Sequence, residues 1–343
     1  MIKPQRTIII AEAGVNHNGD FEKAKQLVEV AAKAGADFVK FQTFKADKIV
    51  SKEAKKADYQ SRNINDGDDS QYNMLKKLEM SEQWHFDLIE YAEKLGIKFL
   101  STGFDEESVD FLDSLKPALY KIPSGEITNK PYIEHIASKK KPIVLSTGMA
   151  TIDEIKDAVE TIERIGVKRK DITVLHCNTE YPTPMEDVNL KAMLHIQKEL
   201  GVEIGYSDHT LGIEVPTAAV ALGAKVIEKH FTLDRNLPGP DHKASLEPDE
   251  LVSMVKAIRN IEIAIAGSGI KEVSKSEVTN KKLGRKSIHI KNYIRKDQHL
   301  TEDDLIMLRP GDGISPMELE SIIGKRARKA LDPGAKLSYS DLY

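Results

Sequence analysis

Two histidines follow short apolar runs of the sequence, in similar polar surroundings. His209 follows the run 202–206, and His230 ends a similar run two residues after Glu228. Side chains two residues apart on a strand share a face, so Glu228 and His230 should point the same way. Two imidazoles at the carboxyl ends of neighbouring strands suit a divalent metal with open positions. The alternative is that each histidine caps a loop by ordinary hydrogen bonds. Polar residues at several other strand ends favour the metal site.

Lysines and hydroxyl groups occupy other strand ends. Lys40 and Lys121 stand next to apolar runs, where a lysine is costly to bury unless an anion accompanies it. Three hydroxyl residues, Thr102, Ser124 and Ser146, follow other runs of the same kind. Ammonium and hydroxyl donors that converge on one edge would form a cage for a phosphate or a carboxylate. For each lysine taken alone, a surface or ion-paired position is the alternative.

Two acidic residues at strand ends, Glu12 and Glu126, could act as a general base or accept a hydrogen bond from a substrate hydroxyl. The alternative for both is helix capping or pairing with the lysines. Cys177 has no neighbouring motif for nucleophilic work and is predicted to be a packed thiol. The remaining polar side chains at strand ends are those of Gln42, Thr179, Tyr181 and Ser207.

Eight short apolar runs, alternating with segments of helical periodicity, must position these residues. Such alternation implies a parallel sheet, most economically a closed (β/α)8 TIM barrel of the α/β class. An open, doubly wound sheet is the main alternative, but no G-x-G-x-x-G follows the first run. In a barrel the active site lies at the carboxyl ends of the strands, where the polar residues occur. The runs are 7–12, 36–42, 97–102, 119–122, 142–147, 172–177, 202–206 and 224–231.

A long segment, residues 43–96, separates the second run from the third. Its part 52–70 is rich in charged residues and contains N-D-G-D-D at 65–69, which predicts a mobile loop rather than a packed element. Segments this long within a compact domain are usually lids, binding loops or disordered stretches.

The composition changes after residue 265. A barrel domain is predicted over 1–266, a Gly-, Ser- and Lys-rich linker over 267–284, and a small domain over 285–343. The small domain carries Arg309 in front of P-G-D-G and is too short to be very stable alone. Its basic cluster at 324–329 is interpreted as a solvated face, with phosphate binding as the alternative.

Charge and cysteine content restrict the partners and the compartment. The 343 residues carry a net charge of −4, so no global basic field recruits nucleic acid or a membrane. A single cysteine excludes an internal disulfide and favours a reducing cytoplasm. No apolar run reaches membrane-spanning length, and the first six residues lead into a strand without a signal-peptide core.

Seven motifs together resemble one enzyme family, the sialic acid synthases, which include the bacterial N-acetylneuraminate and legionaminate synthases. The resemblance covers essentially the whole chain, and so many motifs in one order are specific. The motifs are AEAGVNHNG (11–19), VKFQT (39–43), KIPSGE (121–126), LSTGM (145–149), SDHT (207–210), EKHFT (228–232) and GPDH (239–242).

The resemblance implies a phosphoenolpyruvate-dependent transferase that forms a C–C bond. The enzyme would condense phosphoenolpyruvate with N-acetylmannosamine, or a close analogue, and water to give a sialic acid and phosphate. The alternative within the family is an N,N'-diacetyllegionaminate synthase acting on 2,4-diacetamido-2,4,6-trideoxymannose. The C-terminal part resembles the antifreeze-like (SAF) domain of these enzymes, and the resemblance implies a domain-swapped homodimer.

The resemblance also implies a role for each matching residue. His209 and His230 would bind the metal, expected to be manganese with magnesium as the alternative, although two imidazoles alone suggest zinc or iron. Glu12, His209 and His230 would be catalytic. Phosphoenolpyruvate would contact Lys40, Thr102, Lys121, Ser124, Ser146, Thr179 and Ser207, with Asn178 as the alternative to Thr179. The sugar would contact Glu12, Glu126, Tyr181, Asp241 and, from the partner subunit, Arg309.

Two functions of other kinds remain open at this point. A Schiff-base aldolase would use Lys121 or Lys229 as its nucleophile and would form a borohydride-trappable adduct. A non-catalytic sugar-binding protein is suggested by the C-terminal module. It would release no phosphate from phosphoenolpyruvate.

Overall fold

The computed structural model of the protein describes residues 6–343. The predicted start without a signal peptide therefore lies largely outside the described residues. The chain divides into two compact units, of which the first ends at Gly267 and the second runs from Ser268 to Tyr343. No helix in the described part of the chain is long and apolar enough to cross a membrane.

Eight parallel strands form the centre of the first unit. They pair in the order β3-β2-β1-β8-β7-β6-β5-β4, and β3 and β4 also lie side by side. The sheet is therefore a nearly closed barrel, which confirms the predicted (β/α)8 fold. The strands are β1 Ile8–Gly14, β2 Phe38–Thr43, β3 Lys98–Gly103, β4 Tyr120–Ile122, β5 Ile143–Ser146, β6 Ile172–Cys177, β7 Glu203–Asp208 and β8 Val226–His230.

Helices connect the strands and cover the outside of the barrel. The helix that follows β1 shows how the sequence sets their limits. Asp20 accepts hydrogen bonds from the first-turn amides of Glu22 and Lys23, and Gly35 ends the helix in the left-handed conformation. The helices are α1 Phe21–Ala34, α2 Ala46–Ile49, α3 Asp58–Ile64, α4 Gln71–Lys76, α5 Glu82–Lys94, α6 Glu106–Ser114, α7 Lys130–Ser138, α8 Ile152–Ile165, α9 Ala192–Leu200, α10 Glu214–Ala221 and α11 Pro248–Ile265.

The barrel interior has an apolar layer beneath a polar one. Buried apolar residues from seven strands, or beside them, form one cluster. In each case the residue two positions further along the chain lines a cavity at the carboxyl ends of the strands. Since side chains two apart share a face, the apolar layer supports the polar one. The pairs are Ile10 and Glu12, Phe38 and Lys40, Leu100 and Thr102, Leu119 and Lys121, Val144 and Ser146, Leu175 and Cys177, and Val226 and Glu228.

Residues 44–80, called here the lid segment, contain α2, α3 and α4. The prediction of a mobile loop over 52–70 is wrong, because α3 lies within it and Lys55 forms an antiparallel bridge with Ser70. Lys56 is buried there and pairs with Asp66 at 2.7 Å. The physical reason is a small apolar cluster in which Met74 and other lid residues pack with Val15. Its members alternate with charged residues in the sequence, so the composition of the segment does not indicate that they pack together.

The second unit has a core of its own. Helix α12 (Val278–Gly284) lies within the stretch predicted as a linker, and its residues are exposed. Strands β9 (Ser287–Ile290) and β10 (Leu305–Leu308) pair in antiparallel fashion, and a short helix α13 (Leu319–Ile322) follows. Buried Ile288, Ile294 and Leu337 belong to the core of this unit.

Candidate active site

A cavity of about 730 Å³ opens at the carboxyl ends of the barrel strands. It is lined by all the predicted site residues of the first unit. They are Glu12, Lys40, Thr102, Lys121, Ser124, Glu126, Ser146, Thr179, Tyr181, Ser207, His209, His230 and Asp241. The structure thus brings together residues that lie up to 229 positions apart in the sequence, from Glu12 to Asp241.

Four buried charged residues of alternating sign form the floor of this cavity. The Lys40 ammonium lies 2.7 Å from a Glu12 oxygen and 3.6 Å from a Glu228 oxygen. The Lys121 ammonium lies 2.8 Å from the other oxygen of Glu228. Both lysines are therefore ion-paired and also face the cavity. An ammonium has three donors, so Lys121, with this one pair, keeps donors for an anion, whereas Lys40 also donates to Thr102 and would exchange a partner to bind one.

Burial and neighbouring charges set different protonation states for the two floor carboxylates. Burial raises the pKa of Glu12 to about 7, against the attraction of Lys40. Burial also opposes ionisation of Glu228, but Lys121 and Lys40 outweigh it and hold the pKa of Glu228 well below its usual range. Glu228 is therefore a fixed negative charge, whereas Glu12 can take up or release a proton near neutral pH.

Hydroxyl groups surround the lysines. Thr102 accepts a hydrogen bond from Lys40 at 3.1 Å, and Ser207 donates one to Glu228 at 3.2 Å. Ser124 accepts from the Gly148 amide at 2.9 Å. The hydroxyl of Ser146 is buried without a hydrogen-bond partner among the described residues. A buried polar group of this kind calls for a bound ligand or water, so Ser146 supports an anion site here.

The two histidines lie at the same rim, with ring centroids 5.4 Å apart. His209 bonds through Nδ1 to the carbonyl of Asn178. Because a carbonyl only accepts, Nδ1 carries the proton and Nε2 keeps its lone pair. Burial lowers the pKa of His209 to about 4 and that of His230 well below its usual range. Both imidazoles are therefore neutral at pH 7, which is the form that binds metals.

The donor set fits an open divalent metal site rather than a closed one. His230 Nδ1 is buried and has no hydrogen-bond partner within residues 6–343. Across residues 6–343, however, no group of three or more His, Cys, Asp or Glu side chains is arranged to hold a metal ion. Cys177 lies 3.8 Å from His209, and burial raises its pKa to about 11, so without a metal it is a thiol. Water or substrate oxygens would have to complete the coordination.

A stack of aromatic rings forms one wall beside the histidines. The ring of Tyr181 lies 3.9 Å from that of His209 at an interplanar angle of 26°. The ring of Tyr59, from the lid segment, stacks on the ring of Tyr181, with the centroids 5.0 Å apart and an interplanar angle of 17°. Asp241 lines the cavity as well, and burial raises the pKa of its carboxyl to about 7.

Several alternatives left open by the sequence can now be compared with the geometry. Thr179 lines the cavity, whereas the side chain of Asn178 accepts hydrogen bonds from Glu180 and Thr183 in its own turn. Lys229 is fully buried and pairs with Asp208 at 2.6 Å, and it does not line the cavity. The geometry therefore favours Thr179 as the ligand contact and gives no support to Lys229 as a Schiff-base nucleophile.

Of the predicted site residues, Arg309 alone belongs to the second unit. It is exposed there, and its Nε donates to the carbonyl of Gly284 at 2.9 Å. The partner-subunit role that the resemblance implies for Arg309 stays a prediction.

Two groups of cavity residues were missed by the sequence analysis. Glu228 was noted for sharing a face with His230 but was given no role, although that shared face was the signal. The lid residues, among them Tyr59, gave no signal because their contacts with the barrel are long-range.

The family comparisons agree with the resemblance seen in the motifs. The model of the NeuB family matches residues 27–271, and the SAF domain model matches residues 285–342. An N,N'-diacetyllegionaminic acid synthase of Legionella pneumophila is 50% identical over 99% of this chain and 97% of its own length. The enzyme of the same name from Campylobacter jejuni is 54% identical over 95% of this chain and 97% of its own length.

A solved structure supports the same placement. The N-acetylneuraminic acid (sialic acid) synthetase of Leptospira borgpetersenii, crystallised with citrate, superposes with a TM-score of 0.69. It is 33% identical, and the match covers 80% of this chain and 90% of that one.

Proposed function

Since the chain belongs to the NeuB family, we propose that it is an N,N'-diacetyllegionaminic acid synthase. It would condense phosphoenolpyruvate with 2,4-diacetamido-2,4,6-trideoxymannose and water, and release phosphate. The observation that carries this choice of sugar is the identity of 50% and 54% to two synthases of that name over nearly the whole chain. The N-acetylneuraminic acid synthetase of known structure is only 33% identical, so N-acetylmannosamine becomes the second candidate.

Phosphoenolpyruvate would bind to the charged floor of the cavity. Lys40 and Lys121 would hold its phosphate and carboxylate groups. Hydroxyls would add hydrogen bonds around them, including the otherwise unpartnered Ser146. Charges already in place cost no reorganisation when the reaction begins, and they fix the two substrates in reacting geometry. The proposed contacts are Lys40, Thr102, Lys121, Ser124, Ser146, Thr179 and Ser207.

The metal in this proposal is Mn²⁺, with Mg²⁺ as the alternative. His209, through Nε2, and His230 would hold it, since both imidazoles are neutral and face the cavity. Such a cation acts as a Lewis acid that polarises the aldehyde of the sugar. Its remaining positions would be filled by water and substrate oxygens.

The proton transfers are assigned to Glu12. The methylene carbon of phosphoenolpyruvate forms a bond to the aldehyde carbon of the sugar, whose oxygen must gain a proton. Water then adds to the former enol carbon and loses one proton to the protein. Cleavage of the bond between that carbon and the phosphate oxygen releases phosphate, which takes the second proton, and leaves the keto acid. With a pKa raised to about 7 by burial, Glu12 can exchange a proton near neutral pH. It can give a proton to the new hydroxyl and take one from the water.

The sugar would lie between Glu12 and the outer rim. Glu126, Tyr181 and Asp241, which also line the cavity, are the other proposed contacts. The Asp241 carboxyl has no hydrogen-bond or ion-pair partner among residues 6–343 and is therefore available to sugar hydroxyl or amide groups. A cytoplasmic location, and a domain-swapped homodimer in which Arg309 reaches the sugar of a partner, also belong to this proposal.

Steady-state kinetics with two sugars test the proposed activity. Phosphate release and the mass of the sugar acid are measured with phosphoenolpyruvate, Mn²⁺ and either 2,4-diacetamido-2,4,6-trideoxymannose or N-acetylmannosamine. The diacetamido sugar should give a kcat/KM at least about tenfold higher. No phosphate should appear without a sugar. A preference for N-acetylmannosamine would overturn the choice of sugar, and turnover of neither would overturn the proposed reaction.

A further inference from the structure

The lid segment gives the cavity a side unlike its floor. Besides the charged residues and the polar lid residues Asp58, Gln60 and Gln71, the cavity is lined by six apolar side chains of the lid segment. They are Ile49, Val50, Ala57, Met74, Leu75 and Leu78. The reacting groups of both substrates are polar and match the floor, so this apolar side has no part in the roles assigned so far.

Helix α3 of the lid segment is fixed to the loops that follow β6 and β8. The Asn63 side chain donates to the Pro240 carbonyl at 2.7 Å. Arg62 pairs with Glu180 at 2.5 Å, and Lys243 donates to the Arg62 carbonyl at 3.5 Å. These contacts hold α3 directly over the aromatic wall of the cavity.

Tyr59 is the residue of α3 that enters this wall. Its ring stacks on Tyr181, which in turn stacks on His209. Burial raises the pKa of the Tyr59 phenol, and the charge of Asp241 adds to the effect. Tyr59 is therefore a neutral, half-buried aromatic side chain close to Asp241, at the junction between the apolar lid and the polar rim.

We propose that Tyr59 is a specificity-determining residue, whose ring packs against the apolar substituents of the sugar. The inference rests on the proposed function. The 2,4-diacetamido-2,4,6-trideoxy sugar carries a methyl group at C6 and an acetamido group at C4, where N-acetylmannosamine carries hydroxyls. Methyl groups gain from burial against an aromatic ring and the lid side chains. Hydroxyls placed there would lose hydrogen bonds to water without replacement.

Substitution of Tyr59 tests this role against both sugars. In Tyr59→Ala, kcat/KM for the diacetamido sugar should fall by about 10- to 100-fold. The value for N-acetylmannosamine should change by less than about threefold, since its hydroxyls gain little from the ring. The KM for phosphoenolpyruvate, which binds at the floor, should not change. Tyr59→Phe keeps the ring and should keep the selectivity of the wild type.

Tyr72 offers a matched control on the same segment. It lies on α4, its hydroxyl donates to Asp47 at 2.8 Å, and it does not line the cavity. Tyr72→Ala should leave the rates with both sugars unchanged. Arg62→Ala removes the ion pair to Glu180 without touching the wall. It should leave the ratio of the two rates as in the wild type.

The outcomes separate a specificity role from a structural one. Equal losses with both sugars in Tyr59→Ala would mean that the ring only holds the lid, and would overturn the inference. Unchanged selectivity would overturn it as well. If Tyr59→Ala does not fold, as judged by circular dichroism, Tyr59→Leu replaces it and should shift the same ratio by a smaller factor. A wild type without preference for the diacetamido sugar would instead refute the proposed function, whatever the variants do.

Discussion

The charge of each ionisable side chain in this cavity depends on its surroundings. Lys40 keeps its charge in a buried position because Glu12 and Glu228 offset the cost of burial and raise its pKa. The two histidines are uncharged because the cost of burying a charge outweighs the attraction of nearby carboxylates. The same degree of burial thus gives a permanent cation in one case and a neutral imidazole in the other. Anion binding and metal binding can therefore coexist within one cavity.

The metal assignment predicts a loss that is specific to two histidines. His209→Ala and His230→Ala should each abolish turnover and weaken Mn²⁺ binding by more than about tenfold, because each removes one of only two protein ligands. The fold should persist, since both residues lie at strand ends. Metal bound after dialysis, measured by mass spectrometry alongside circular dichroism, provides the check.

His176 is the matched control for that experiment. It lies on β6, bonds to the carbonyl of Val188 at 2.9 Å and does not line the cavity. His176→Ala should bind Mn²⁺ like the wild type. Full metal content and turnover in either His209→Ala or His230→Ala would refute the metal site.

Asp241 predicts how stability depends on pH in the ligand-free protein. Burial raises its pKa from 3.8 to about 7, so between these values the folded state holds a proton that the unfolded state has lost. The contribution of Asp241 to the free energy of unfolding therefore falls as pH rises from 4 to 7. Asp241→Asn removes this contribution, and the variant should gain stability relative to the wild type by about 4 kcal/mol between pH 4 and pH 8.

Urea unfolding of both proteins at pH 4, 6 and 8, in the presence of a chelator, measures this difference. Chelation is needed because a bound cation would itself stabilise the folded state. If the free energies of unfolding of the wild type and Asp241→Asn differ by the same amount at all three pH values, the carboxyl ionises as readily in the cavity as in water. The raised pKa is then refuted.

At the level of elements, the strands explain why much of the site could be predicted from the sequence. Each inward-facing apolar residue is followed two positions later by a cavity residue, as Ile10 is by Glu12 and Val226 by Glu228. This period of two is local, so it is visible in the sequence. Once the barrel closes, the carboxyl ends of all eight strands lie at the same end of it, so no other signal is needed to predict that their side chains meet.

The lid segment shows where such local reasoning fails. Helix α3 has no buried residues, so no apolar periodicity marks it, and its charged composition suggested a mobile loop. What holds it is the pairing of Arg62 with Glu180 and of Asn63 with Pro240, 118 and 177 positions away. Contacts at that separation cannot be inferred from one sequence.

Strand β7 carries a prediction about packing inside the barrel. Gly205 faces inward two residues before Ser207, and a Cβ atom there would collide with the Val226 carbonyl and lie 2.5 Å from Leu175 Cδ2. Because the barrel wall cannot yield, Gly205→Ala should lower the free energy of unfolding by about 2 to 3 kcal/mol. Chemical denaturation of the ligand-free protein measures it.

Gly125 provides the comparison, since a Cβ atom there meets nothing within 4 Å. Gly125→Ala should change the free energy of unfolding by no more than about 0.5 kcal/mol. Equal stability of the two alanine variants would show that the strands around β7 can move apart.

The whole molecule consists of two units, each with its own core. The first contains the cavity, the predicted anion cage and both histidines, whereas the second is a small module matched by the SAF domain model. Such a module would be retained in a synthase if it supplies a group that the barrel lacks. Its exposed Arg309 is the predicted group, because a guanidinium can bind sugar oxygens with several donors.

The last prediction is that Arg309 acts in trans, on the site of a partner subunit. Arg309→Ala and His230→Ala homodimers should both be nearly inactive, because every site in each carries one defect. Equal amounts of the two, co-folded, give about half mixed dimers. In a mixed dimer, one site pairs an intact barrel with an intact arginine and the other combines both defects. Activity should therefore recover to about a quarter of wild type.

An arrangement in cis gives a different result from the same mixture. Each subunit would then contain one defect in its own site, so no dimer of any composition would have an intact site. Mixing must be verified independently, for example by differently tagged subunits isolated on two successive affinity columns. Isolated mixed dimers should then reach about half of wild-type activity if Arg309 acts in trans, since one of their two sites is complete. Isolated mixed dimers that remain inactive would refute the exchange of Arg309 between subunits while leaving the barrel chemistry untouched.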